Sequence, residues 1–226
     1  MIRTILLTAF VFSAMFGATE GAVIESDGAV ITAAASNAKA GMSAIVIYSR
    51  GGVEAIGAKC ATIDADGKAA RLKCEPFTLY DQDSVPTLTL TIKKGDKVIF
   101  SPLSRSAIAI APNADRLIRA QSKRPNLRYV HPDLFAHELV KNGETRPSVK
   151  DFRAFCDRYL VGAIVFAFSD GDYLTDCQTF ATLEISPDSA AANARQAFPF
   201  FNRLGIASEA IGDFDAYYKR LLSKEF

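Results

Sequence analysis

Residues 95–112 read GDKVIFSPLSRSAIAIAP and residues 151–168 read DFRAFCDRYLVGAIVFAF. Each contains a run, 107–111 and 161–168, that is apolar at almost every position. A strand exposed on one face alternates, so an unbroken apolar run signals a strand covered on both faces. The residues between the two runs carry helix signals. Pro112 ends the first run, and Asn113 can cap a helix over 114–122 with Leu117 and Ile118 inward. Pro125-Asn126 reads as a turn and 127–130 as a short strand. Pro132 fits the first position of a helix running to Val140, with Leu134, Phe135, Leu139 and the stem of Glu138 inward. Asn142-Gly143 stops it. Ser148 and Asp151 form a capping-box pattern before a stripe of Val149, Phe152, Phe155, Cys156, Tyr159 and Leu160.

Beyond the second run, Asp170-Gly171 predicts a hairpin into 173–176, and 180–185 an edge strand. Residues 187–197 read as a short helix or linker. Ser208 opens a last amphipathic helix with Ile211, Phe214, Tyr218, Leu221 and Leu222 inward. This half is an α/β layer with helices on its faces.

The preceding half is all β. Asp27-Gly28 lies between strands at 22–25 and 29–32, and Gly51-Gly52 between 43–49 and 53–59. Asp66-Gly67 lies between 60–64 and 68–77. Two-residue hairpins need positive φ, which these pairs supply, so a meander is expected. Residues 87–92 alternate Leu88, Leu90 and Ile92 inward, and Gly95-Asp96 turns into 97–100. The expected fold is α+β: a small antiparallel barrel or sandwich over 19–102, then the α/β layer with its C-terminal helix over 103–226.

The 49% hydrophobic content suffices for a core, and 26 Lys+Arg against 25 Asp+Glu exclude a strongly basic nucleic-acid binder. Arg3 followed by an apolar run at 4–18 has the form of a secretory signal, with an uncleaved anchor as the alternative. Export gives meaning to Cys60, Cys74, Cys156 and Cys177. An even count in an oxidising compartment suggests two disulfides, and three pairings exist. Cys60–Cys74 and Cys156–Cys177 are favoured because each pair is close in sequence and lies within one half. Buried free thiols are the alternative.

No catalytic constellation stands out. His131 and His137 are six residues apart, on different faces of a helix, and HPDLFAHE is not a zinc motif. His131 suits the helix start. Asp170, Asp172 and Asp176 crowd one hairpin without a calcium-loop spacing, so turn formation and solvation is the expected role, with Asp176, next to Cys177, as the exception. GxSxG, P-loop and dinucleotide fingerprints are absent, leaving a scattered hydrolase site built on a histidine as the enzymatic alternative. No metal or cofactor is implied.

The segments 95–100, 105–112, 131–136 and 151–156, with Val161-Gly162, Asp176-Cys177, Phe180 and 199–203 (PFFNR), resemble the N-terminal domain of the bacterial plasminogen-binding protein A family. Their order and spacing extend the resemblance over about residues 20–205. It implies an exported, non-enzymatic protein of the periplasm or cell surface whose partner is host plasminogen. A kringle recognises a lysine-like zwitterion, and a helical Lys or Arg beside a carboxylate can mimic it. Lys219, Arg220 and Lys224 are such groups, with an ordinary solvated helix face as the bland reading. A periplasmic scaffold of an envelope assembly, with another envelope protein as partner, is the rival function.

Overall fold

The computed structural model describes residues 18–77, 91–188, 199–204 and 212–223. Six strands form the first unit: β1 (Thr19–Asp27), β2 (Val30–Ala34), β3 (Ser43–Arg50), β4 (Val53–Ala65), β5 (Ala69–Pro76) and β6 (Lys97–Phe100). They close into a barrel ordered β1-β2-β5-β4-β3-β6. β6 is the closing strand, antiparallel to both β1 and β3. Closure gives each of the six strands a neighbour on both sides.

All three glycine turns form. Gly51 and Gly52 both hold positive φ, at 60° and 80°, the pair of conformations a two-residue hairpin demands. The chain is nevertheless not a simple meander, because β2 pairs with β5 rather than β3. The strands expected at 53–59 and 60–64 are one. No turn former separates Lys59 from Cys60, and bulges opposite Val46/Ile47 and after Thr62 bend the 13-residue β4 between β3 and β5. The strand expected at 87–92 lies mostly outside the described residues, and Ile92 packs against the barrel core without joining a strand.

The barrel interior is built from small groups such as Ala33, Ala44, Ala58 and Ala70, with Leu72 and Phe100 as bulk. Cys60 and Cys74 face each other in register on β4 and β5, at disulfide distance, with Cα atoms 4.0 Å apart.

The second unit contains β7 (Ser106–Ile110), α1 (Ala114–Ser122), β8 (Arg128–Val130), α2 (Pro132–Lys141) and α3 (Val149–Tyr159). β9 (Ala163–Ala167), β10 (Gly171–Asp176), β11 (Thr182–Pro187) and α4 (Phe214–Leu222) follow. The sheet order is β11-β10-β9-β7-β8, with β7 parallel to β8 and β9 and the rest antiparallel. β7 and β9 are the two unbroken apolar runs, and every residue of β9 is buried. Their side chains divide by size. Ile108, Ile110, Ile164 and Phe166 face α2, α3 and α4, where Phe135, Phe152 and Tyr218 complete an aromatic core. Ala107, Ala109, Ala163 and Ala167 face α1 with Leu117 and Ala120.

The caps of α1, α2 and α3 form where the sequence places them. Asn113 accepts from Arg116 N, and Ser148 and Asp151 make the reciprocal box. Two inward positions differ from expectation. Ile118 is 64% exposed while Arg116 turns in, because Arg116 has buried acceptors to meet. Leu160 is the left-handed C-cap of α3, φ 52°, and leaves the stripe. Asp213 caps α4. Ser208, Ile211 and most of the 187–197 segment lie outside the described residues, as does the expected signal segment except Ala18.

Candidate functional surface

The signature residues converge where the barrel meets the sheet. β10 ends at Asp176, and Cys177 stands at disulfide distance from Cys156 of α3, Cα atoms 6.3 Å apart. This ties a helix to the sheet across 21 residues of chain. Asp176 is fully buried and reaches the barrel: one carboxylate oxygen accepts from Ser43 N at 2.9 Å and Ser43 Oγ at 2.7 Å. The other accepts from Gln178 N and Thr179 N. Burial pushes the Asp176 carboxyl up from its ordinary value, against the pull of these four donors. Thr179 Oγ1 donates to Gly41 O of the barrel, and Arg153 of α3 donates to the carbonyls of Gln178 and Thr179. Gly162 completes the joint. A Cβ there would stand 2.2 Å from Leu103 O in the connection leaving the barrel, so only glycine fits. The matching motifs around 151–156, 161–162 and 176–180 are therefore parts of one structural joint.

The segment 199–203 has a similar role. Open α/β sheets commonly take ligands beyond the carboxyl ends of their strands. Here Phe201 N donates to Ala111 O just past β7, Phe200 stacks on Phe135 at 5.5 Å, and Arg203 Nε meets Asp133 Oδ2 at 2.7 Å. The chain's own residues occupy that place.

The hairpin carboxylates are not simply solvating groups. Asp170 is exposed, but Asp172 and Asp176 are fully buried. Asp172 binds Arg116 Nη2 at 2.9 Å and Lys123 Nζ at 2.8 Å, and Arg116 also reaches Phe168 O and Asp188. Arg124 pairs with Glu184 at 3.0 Å. The basic residues of 116–124 thus spend their charge on β10, β11 and Asp188 just beyond it, which accounts for the inward turn of Arg116. Each buried charge here has its partner, the condition under which burial is tolerated.

His131 is the N-cap of α2, its Nδ1 accepting from Asp133 N at 3.2 Å, and His137 lies exposed on the same helix. Among the described residues no group of three or more His, Cys, Asp or Glu is placed to hold a metal.

The exposed end of α4 carries two of the three predicted partner-binding residues. Arg220 is exposed, with its guanidinium 5.6 Å from the Tyr217 ring centre. Lys219 is engaged: its ammonium lies 2.8 Å from Asp170 Oδ2, 3.9 Å from Asp215 Oδ2 and 5.1 Å from the Phe168 ring centre. The bond from Lys219 holds Asp170 below the usual carboxylate range. Partial burial works against the ammonium, but Asp170 and Asp215 outweigh it and raise the Lys219 value. Lys224 lies outside the described residues. The sequence-based reading missed the cage around Lys219 because Phe168 and Asp170, between β9 and β10, and Tyr173 of β10 are distant in the chain.

Residues 20–222 match the family described as Plasminogen-binding protein pgbA N-terminal, and the chain belongs to that family. It is 26% identical over 206 residues to the Plasminogen-binding protein PgbA of Helicobacter pylori strain J99 and 25% identical to that of strain 26695. Each alignment covers 87% of this chain and 45% of the relative. The chain thus spans about half the length of the curated relatives it matches.

Proposed function

We propose that this member of the PgbA N-terminal family is an exported, non-catalytic binding protein that captures plasminogen through exposed Lys and Arg side chains. The observation that carries the reading is the family match over 20–222, joined to two relatives that bear the name plasminogen-binding. The geometry is consistent with it. Signature residues are spent on the joint and on the core, leaving binding to surface groups. On α4 the exposed cation is Arg220, next to Lys219 and over an aromatic ring. Two cysteine pairs at disulfide distance suit an oxidising compartment. Among the described residues no helix is long and apolar enough to cross a bilayer. We take 19–102 and 103–226 as two subdomains joined at Asp176, with the segment 1–18 directing export to the periplasm or cell surface.

A direct test is capture of the chain on immobilised plasminogen with and without the lysine analogue ε-aminocaproate. Saturable capture that the analogue abolishes is the expected result. No capture refutes the function, and capture that the analogue leaves intact refutes docking through lysine pockets.

A further inference from the structure

Lys219 sits in a half-open ammonium cage, its side chain 37% exposed. Its Nζ faces the carboxylates of Asp170 and Asp215 and, at 5.1 and 5.6 Å, the ring centres of Phe168 and Tyr173. Carboxylates together with ring faces are the general means by which a protein surface holds a primary alkylammonium. The walls are set independently of the lysine. Phe168 is fully buried, just past β9, and Tyr173 belongs to β10. Tyr173 OH donates to Asp170 Oδ2 at 3.2 Å. Ser169 holds Asp215 Oδ2 through its backbone N at 2.9 Å and its hydroxyl at 2.6 Å.

We infer that the cage is a lysine-binding site filled by the chain's own Lys219, an intramolecular contact that withholds this ammonium from an outside lysine pocket. The inference rests on the docking reading above and specifies how that surface is controlled. A kringle pocket offers an ammonium the same chemistry of rings and carboxylate that the cage already supplies. Transfer of Lys219 exchanges like for like and must also break the 2.8 Å contact to Asp170. In this conformation Arg220 is the available cation of the pair, and Lys219 is held in reserve. Any event that weakens Asp170 as an acceptor adds a second cation to the same helix face.

The test uses the full chain as wild type, as Asp170→Asn and as Asp170→Asn combined with Lys219→Ala. Asp170 is about half exposed, and asparagine matches it in shape, so the fold is retained. Lysine reactivity is read first, by trace acetylation and mass spectrometry. Lys219 is expected to label more slowly than Lys97, whose contact with Glu20 is exposed on both sides, and to speed up several-fold in Asp170→Asn. Affinity for immobilised plasminogen is read second. Asp170→Asn is expected to bind about two- to fivefold tighter, in line with the loss of one exposed ion pair. The gain should vanish in the double variant.

Faster labelling with unchanged affinity overturns the withholding and leaves the proposed function standing. Unchanged labelling in Asp170→Asn overturns the cage itself. A wild-type chain that fails to bind plasminogen overturns the proposed function, and the withholding falls with it.

Discussion

Replacing Asp176 by alanine tests whether the barrel and the sheet are held together by one buried carboxylate. The substitution removes the acceptor for four donors, Ser43 N and Oγ on the barrel side and Gln178 N and Thr179 N on the sheet side. A buried donor left without a partner costs about 1–3 kcal/mol; Thr179 N is buried and the other three donors are partly so. The expected loss is about 3–5 kcal/mol of unfolding free energy, in the range reserved for broken buried networks. Asp176→Asn retains one carbonyl oxygen and turns an amide toward the remaining donors, so it should lose about 2 kcal/mol. Urea unfolding followed by intrinsic tyrosine fluorescence and far-UV dichroism measures both. The alanine variant is expected to show two separated transitions as the halves uncouple. Ser43→Ala, which removes one hydroxyl and keeps the backbone donor, should cost about 1 kcal/mol in wild type and almost nothing beside Asp176→Ala. A loss under about 0.5 kcal/mol for Asp176→Ala, or full additivity with Ser43→Ala, would refute the reasoning.

Further outcomes follow from the same structure. Asp172→Ala strips Arg116 and Lys123 of a fully buried partner and should destabilise by about 3–5 kcal/mol in thermal or urea unfolding. Phe152→Ala opens a void among Phe135, Phe166, Phe180 and Tyr218 and should cost about 3–5 kcal/mol by the same measurement. The Cys156→Ser/Cys177→Ser pair should lose about 3 kcal/mol relative to the oxidised protein, for a closed loop of this size. Asp170 is held low by Lys219, so the contact contributes stability above the ordinary carboxylate value and loses it only as pH falls through the lower folded-state value. A carboxyl NMR titration should show Asp170 ionising below the ordinary carboxylate value in wild type and shifted upward in Lys219→Ala.

Where the sequence was legible, the signal was local and had a single physical cause. Gly51-Gly52 can only serve a tight turn, Ser148 with Asp151 can only begin a helix, and an unbroken run such as 163–167 can only be covered on both faces. Where it misled, the cause was a partner distant in the chain. Apolar periodicity put Ile118 inward because it cannot see that Arg116 will find Asp172, 56 residues on. Asp172 read as solvated because hairpin chemistry usually lies at a surface, whereas it meets two cations; Asp176 stood apart beside Cys177, but its reach to Ser43 across 133 residues has no local signal. Strand order has no local signature either, so the pairing of β2 with β5 was hidden while the turns themselves were plain. At the candidate site the basic residues of α4 were visible, but the state of Lys219 was not, since Phe168, Asp170 and Tyr173 are brought to it only by the fold.

The most direct measurement of the central claim is the binding of the full chain to isolated kringle modules of plasminogen and, separately, to its protease domain, followed by surface plasmon resonance. Saturable binding to the kringles is expected, weakened by Arg220→Ala and absent on the protease domain. Binding that follows the protease domain, or that no α4 substitution alters, would contradict the claim.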